Sequence, residues 1–478
     1  MRDRVQGRTG LGLRALSVLV ACACGTGVAC AQGATDISTE GQVPPQIIQN
    51  PIIPSIPDPE PSFTTAKQDA VMARPRPEYQ PIGLEAGGIV EDITWLGRGQ
   101  VLESFLLFPR VDVGMTFDDN IFADRTRRKA DFVGVVSPSV TLRSNWDNHE
   151  LFATLKSSTS RYLLNGRESS TQFGGQLGGE IELTEFESVR LVFSSDRKTT
   201  SRGDVSVDAG GDEPGVFFEH SADLQWQYAR DLFQWLARTK LSRRNFVDVP
   251  AGLNNEIETD QSDGWRWDSS VRLGYEAWKG TTLFVQPFLN TSWFDNKFDN
   301  SGFRRAFLTW GAVTGFTYDV SAVSFLEASV GLGFNNAFDS SAGALTFLKA
   351  GLDLVWNPHD SWTFTAGFSR EVTPTNSFTI IGGTNVADVA FLTNAFTLGA
   401  QLEITYELLA SMEAEYRKSS TIANDTQDDV FSNTVALLWL LNENMRVRSF
   451  WDFTYFSSND VARRFLRNRL GVVLTLHY

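Results

Sequence analysis

Residues 218–228 read FEHSADLQWQY, and this stretch decides the fold. Phe218, His220, Ala222, Leu224, Trp226 and Tyr228 share one side of an extended chain. Glu219, Ser221, Asp223, Gln225 and Gln227 share the other, because successive side chains of a strand point to opposite faces. The period is two, not 3.6, so the segment is a strand rather than a helix. Working outward, the same division sets Trp265, Trp267, Ser269, Val271, Leu273 and Tyr275 against Arg266, Asp268, Ser270, Arg272, Gly274 and Glu276. It returns with Phe396, Leu398, Ala400, Leu402, Ile404 and Tyr406 against Thr397, Gly399, Gln401, Glu403 and Thr405. A soluble sandwich turns such apolar faces inward, whereas a membrane barrel turns them to lipid and lines its lumen with the polar half.

Three features favour the barrel. The alternating segments run roughly 10–14 residues, about twice the usual sandwich strand. Connections alternate in length along the chain. Short ones fall at Asn145–His149, Thr184–Ser188, Ala229–Leu232, Trp278–Thr281, Asp319–Ala322, Asn357–Ser361 and Leu441–Met445. Long ones fall at Asp118–Ala130, Asp196–Gly215, Val247–Ser262, Asp295–Arg304, Asn335–Gly343, Glu371–Ala387 and Ser419–Asp429. Outer-membrane barrels have short periplasmic turns and long outer loops. Aromatic residues gather beside the short turns: Trp146, Phe186, Tyr228, Trp278, Tyr318, Trp356, Trp362, Tyr406 and Trp439, with Tyr478 at the end. Amphipathic rings prefer the membrane interface, so these read as a periplasmic girdle. Phe117, Phe246, Trp293, Phe334 and Tyr455 flank the long loops as a second set.

The segments sum to about 18 strands, which puts both termini in the periplasm. Sixteen is the alternative, should the region 131–163 pair irregularly. The last strand sets Leu470, Val472, Leu474, Leu476 and Tyr478 against Arg467, Arg469, Gly471, Val473, Thr475 and His477. The expected fold is therefore all-β, a transmembrane antiparallel barrel over 101–478.

What precedes the barrel has a different character. Arg2, Arg4, Arg8 and Arg14 lead into the apolar run Ala15–Ala23 and then Ala29-Cys30-Ala31, the layout of a signal peptide over 1–31. The alternative is a lipoprotein box at Leu19-Val20-Ala21-Cys22, which would leave a lipidated Cys22. Cleavage after Ala31 removes all 3 cysteines, a state that suits an oxidising compartment. It also removes a surplus of three positive charges, taking the net charge from −15 to −18. Ten of the 17 prolines then lie between Pro44 and Pro81. Proline at this density blocks helix and ladder hydrogen bonds, so 32–100 reads as a disordered or extended periplasmic segment. Asp92–Leu96 is a candidate for a short helix or plug.

Composition narrows function. Three cysteines and 4 histidines give no metal frame, and no metal or cofactor is expected. The negative balance argues against nucleic acid as a partner. His149 and His359 fall in short turns, His220 on an apolar face and His477 on a polar one. No triad spacing or G-x-S-x-G run accompanies them, so catalysis is not expected. Asp118/Asp119 and Asp428/Asp429 read as solvated charge of the outer loops. The lumen is the better candidate. Its basic lining would be Arg190, Arg238, Lys240, Arg266, Arg272, Arg446, Arg448, Arg467 and Arg469. Its acidic lining would include Glu180, Glu182, Asp223, Asp268, Glu276, Glu327, Asp353, Glu403, Glu413, Glu415 and Asp452. Closure brings Arg110 and Asp112 of the first strand beside the last four arginines. A basic ladder there would guide an anionic glycan by forked hydrogen bonds. Cross-strand pairing with Asp112 and Asp452 is the alternative, and slightly the favoured one.

The stretches RPRPEYQPIGLEAGGI (74–89) and ESFLLFPRVDVGMTFDDNIFAD (103–124) resemble the opening of the β-barrel porins of the second type, outer-membrane proteins tied to exopolysaccharide or capsule clusters. The matching motifs are a Pro-rich lead-in, Phe108-Pro109 in the first strand and the Asp118-Asp119-Asn120-Ile121 turn. The segment 131–163 adds a proline-bearing second strand and the Trp146–His149 turn. The resemblance covers about residues 75–165 and implies a role in polysaccharide export or at the cell surface. Two functions stay open: a pore for a polysaccharide or small solutes, and an anchor whose arm docks a periplasmic export partner. Either way the expected partners are outer-membrane lipid and the barrel assembly machinery.

Overall fold

The stretch 218–228 lies inside Val216–Arg230, one of 18 long strands that close into an antiparallel barrel in the computed structural model. The structure describes residues 99–478 except 147, 201, 203–212, 252–254, 258, 260–261, 299–303, 305, 322–323, 339–343, 360, 375–377, 382–383, 388–389, 422–426 and 460–463. Before residue 99 it describes only the small hairpin Leu84–Glu85 with Gly88–Ile89. The signal sequence, the proline-rich run and Asp92–Leu96 therefore lie outside the described residues.

In chain order the strands are β1 Phe105–Asp118, β2 Asp131–Ser144, β3 His149–Tyr162, β4 Ser170–Thr184, β5 Glu187–Thr199 and β6 Val216–Arg230. Next come β7 Phe233–Val247, β8 Gly264–Trp278, β9 Thr281–Phe294, β10 Phe307–Ser321, β11 Ser324–Ala337 and β12 Ala344–His359. The last are β13 Trp362–Pro374, β14 Ala390–Thr405, β15 Leu408–Thr421, β16 Gln427–Asn442, β17 Met445–Ser458 and β18 Phe465–His477. Each pairs with its sequence neighbours, and β18 returns to β1. The count is 18, not 16. Between β2 and β3 the ladder skips at Pro138, which has no N–H to give, and the Ser137 and Ser158 hydroxyls bond at 2.8 Å there.

The alternation is inverted relative to a soluble core. Leu224, Trp226, Trp265, Trp267, Leu273, Tyr275, Phe396 and Leu398 are exposed on the outside, while Asp223, Arg272 and Gln401 of the same strands are buried on the inside. An outward apolar band of this kind is stable only against lipid. The tight turns at 231–232 and 279–280 each hold one residue at positive φ, Asp231 (54°) and Gly280 (74°). A short turn at Tyr406–Glu407 joins β14 to β15, a connection that sequence spacing did not separate. At the other end, β15 runs to Thr421 and β16 begins at Gln427, so Asp428 and Asp429 belong to a strand rather than a loop.

The closure seam has an unequal pairing. β18 covers β1 only from Arg110 to Asp118, and the short strand Gln100–Leu102 folds back to cover Phe105–Leu107. Pro109 sits at the junction, where its carbonyl accepts the Tyr478 N–H at 3.3 Å and its missing donor leaves nothing unpaired. Phe108 points inward against Gly99, whose φ of 66° and lack of a side chain admit the ring. The Phe-Pro motif of the first strand is thus a seam device.

Candidate functional site

The inward face is a wall of paired charges. On β6 and β7, both Asp223 carboxylate oxygens accept from Arg238 Nε at 3.1 Å, and Nη2 adds a bond at 2.5 Å. Lys240 stands directly opposite Asp223 on one side and Asp268 on the other. Arg266 donates to Asp268 at 2.8 Å along β8. Arg272 reaches three strands across to Glu327 (2.9 and 3.1 Å), donates to Gln286 and lies 4.1 Å over the Phe284 ring. Arg190 faces Glu180 at 3.8 Å and covers the Phe152 ring. Glu403 is half-buried on the inward row of β14 beside the short turn. Glu219, placed on the polar face by alternation but not among the expected acidic lining, is held between Lys198 (2.6 Å) and Arg244 (2.9 Å).

The proposed ladder of four arginines separates into two unlike pairs. Arg469 stands opposite Asp452 and bonds it at 2.9 Å, with the Thr434 hydroxyl also donating to that carboxylate. Arg467 takes Asp118, the last residue of β1, with Nε at 2.9 and 3.1 Å from its two oxygens. Asp118 is therefore a buried wall residue, not loop charge. Arg446 and Arg448 lie at the opposite, short-turn end, beside Thr475 and Val473. With about 3.4 Å per residue, Arg446 and Arg467 are separated by roughly 27 Å along the strands. Asp112, the expected partner of these arginines, is taken by Arg110 at 3.0 Å and by the Thr475 hydroxyl.

The Asp118-Asp119-Asn120-Ile121 motif closes the barrel at its long-loop end. Asp119 accepts from the Asn468 backbone at 2.7 Å and from its side-chain amide at 2.9 Å. Asn120 is fully buried and donates to the Leu466 and Asp124 carbonyls at 2.9 Å each. The Asp124 carboxyl caps the following turn, and the backbone N–H groups of Arg127 and Thr126 hold its pKa below the usual carboxylate value.

A second regularity is visible only with the register known. Inward-facing Phe284 and Phe288 stand opposite Gly315 and Gly311, Phe347 opposite Gly333, Phe450 opposite Gly471 and Phe152 opposite Gly178. Each ring lies over the glycine beside it. Lys349 covers the Phe288 ring and Arg448 the Phe450 ring, at 4.7 and 5.3 Å.

On the outside, Trp146, Trp278, Tyr318, Trp356, Trp362, Tyr406, Trp439 and Tyr478 are exposed near the short turns, and Tyr228 is half-buried against Trp235. Trp362 stacks on Phe364, which Trp356 also touches. Of the second set, Phe246 departs from the expectation. It faces inward and stacks on buried Phe217 at 5.2 Å. Of the histidines, His220 bonds Ser195 on the outer face, His149 and His359 accept backbone N–H groups at short turns, and His477 faces inward beside Arg110.

No curated protein matches the chain. Solved barrels resemble it in part. The copper transporter OprC shares 10% identity at a TM-score of 0.45, over 78% of this chain and 80% of that one. A ferric enterobactin receptor (PfeA) mutant from Pseudomonas aeruginosa shares 8% at 0.42, over 77% and 80%. The FrpB iron transporter from Neisseria meningitidis shares 10% at 0.41, over 77% and 81%. The family match is far broader than the opening motifs that carried the resemblance. Over residues 97–478, the whole of the barrel, this chain belongs to the family described as "Putative beta-barrel porin 2".

Proposed function

We propose that the chain forms a polar pore through the outer membrane of a Gram-negative bacterium, with the short turns and both termini in the periplasm. Its cargo is a hydrophilic polymer, an exopolysaccharide, and it acts by passage rather than catalysis. The observation that carries the pore is the inverted alternation: apolar side chains outside, buried ion pairs and amides inside. Eighteen strands enclose a cross-section comparable to that of channel-forming porins. The choice of an exopolysaccharide rests on the opening motifs.

The decisive measurement is single-channel conductance of the purified protein in planar bilayers. Stepwise openings are the expected result, and a barrel that inserts without conducting overturns the pore. The rival reading, an anchor that docks a periplasmic partner, gains from Gln100–Leu102, which ties the preceding segment to the short-turn end of the seam. Deleting residues 32–90 separates the two in cells. The pore reading expects polymer export to survive this deletion, and the anchor reading expects it to stop.

A further inference from the structure

We propose that the short-turn end of the seam is an oxyanion site, in which Arg446, flanked by Arg448, Arg110 and His477, receives the carboxylate of an acidic sugar. The site stands on its own geometry; the choice of a sugar carboxylate over other oxyanions rests on the pore reading.

The four groups share the inward rows of three adjacent strands. Arg446 stands opposite Thr475, which stands opposite Asp112, and His477 stands opposite Arg110. Arg446 is 2% exposed, yet its Nε and Nη1 make no hydrogen bond. The Nδ1 of His477 is likewise buried without a partner. Asp112, opposite Thr475, is the carboxylate that faces Arg446 and His477, and it already accepts from Arg110 Nε and Nη2 and from Thr475. On the far side β16 offers Leu440 opposite Arg446 and Leu438 opposite Arg448, and an aliphatic side chain has no atom to accept from a guanidinium. Arg448 lies over the Phe450 face, within electrostatic reach of Asp452 and Glu413, while Asp452 is bonded by Arg469 and Thr434.

The guanidiniums of Arg446 and Arg110 and the His477 imidazole thus gather around one committed carboxylate, with Arg448 beside them toward Asp452 and Glu413. Elsewhere the same wall pairs its arginines: Arg238, Arg266, Arg272, Arg467 and Arg469 each hold a carboxylate. A buried guanidinium fork is matched in shape and charge by a planar oxyanion, which takes two parallel N–H bonds. A neutral sugar has no group of that kind.

The test is titration calorimetry of the full-length barrel in detergent with sodium glucuronate, with glucose as the neutral control and inorganic phosphate as a competitor. Glucuronate is expected to bind, glucose not, and phosphate to displace glucuronate. Arg446→Gln is expected to weaken binding about tenfold, the worth of one charge-assisted hydrogen-bond pair. Arg448→Gln is expected to weaken it less. Retained heat-modifiable gel mobility certifies each variant as folded, and Arg446→Lys replaces Arg446→Gln if the latter loses it. Equal heats for glucuronate and glucose, or wild-type affinity in both Arg446 and Arg448 variants, overturn the site. Phosphate binding without glucuronate binding overturns the sugar carboxylate and leaves a phosphate-type oxyanion. A barrel that binds glucuronate but passes no current refutes the pore and keeps the site; one that conducts but binds none refutes the site alone.

Discussion

Asp118 is 1% exposed and gives both carboxylate oxygens to Arg467, so neither group stands in the wall as an isolated ion. Removing one member strands the other, which costs far more than the pair contributes. Arg467→Met is expected to destabilise the barrel by about 3 kcal/mol, and Asp118→Leu with Arg467→Met to recover most of that loss. Urea unfolding from lipid vesicles, followed by tryptophan fluorescence, checks both; a double variant no better than the single one would show that the pair is not the source. This residue scale is where the sequence was least legible. The inward position of Arg467 follows from local alternation, but its partner lies 349 residues away. Whether Asp112 answers Arg110 or Arg446 depends on the register across β17, β18 and β1, which no local pattern encodes. Phe246 failed for a related reason: a phenylalanine at a strand end suits lipid and wall equally, and only its stack on Phe217 decides.

Strands were the legible unit, because a period of two is written within each one and needs no distant partner. The short connections expected at Asn145–His149 and Thr184–Ser188 meet the ends of β2 to β5 to within one residue. What lay beyond reach was how adjacent strands fit. The phenylalanine–glycine pairs of β9 to β12 show this fit, since each half is unremarkable alone. A side chain at Gly315 would press its Cβ first against the Ala328 carbonyl oxygen, then to 2.7 Å from Phe284 Cζ and 2.9 Å from Ser329 Cα, inside contact distance of all three. Gly315→Ala is therefore expected to cost about 1–3 kcal/mol, as overpacking of a close-fitted site does. Adding Phe284→Leu should return part of it, because Arg272 keeps Glu327 and Gln286 while the ring gives way. Unfolding midpoints of the single and double variants measure this, and equal midpoints would place the strain in the β11 backbone instead.

At the scale of the molecule, the barrel is closed by two unlike segments, β18 over Arg110–Asp118 and the short strand over Phe105–Leu107. Removing residues 32–98 leaves every barrel pairing described here in place, so heat-modifiable mobility is expected to be unchanged. Extending the removal through Leu102 uncovers an edge of β1, and an uncovered edge is a template for pairing with other chains. That longer deletion is expected to lower the temperature at which the band shifts and to raise oligomer bands on unheated gels. Identical behaviour of the two deletions would show that Gln100–Leu102 does not guard the edge.

The seam also orders events in time. Hairpins such as β6–β7 join residues already close along the chain, but the latch between Asp118 and Arg467 must wait until the entire sheet has curled round. Its formation is therefore the clock's last tick: a spectroscopic pair placed across Asp119 and Asn468 would report not whether strands have formed, but the moment at which the wall has become a ring.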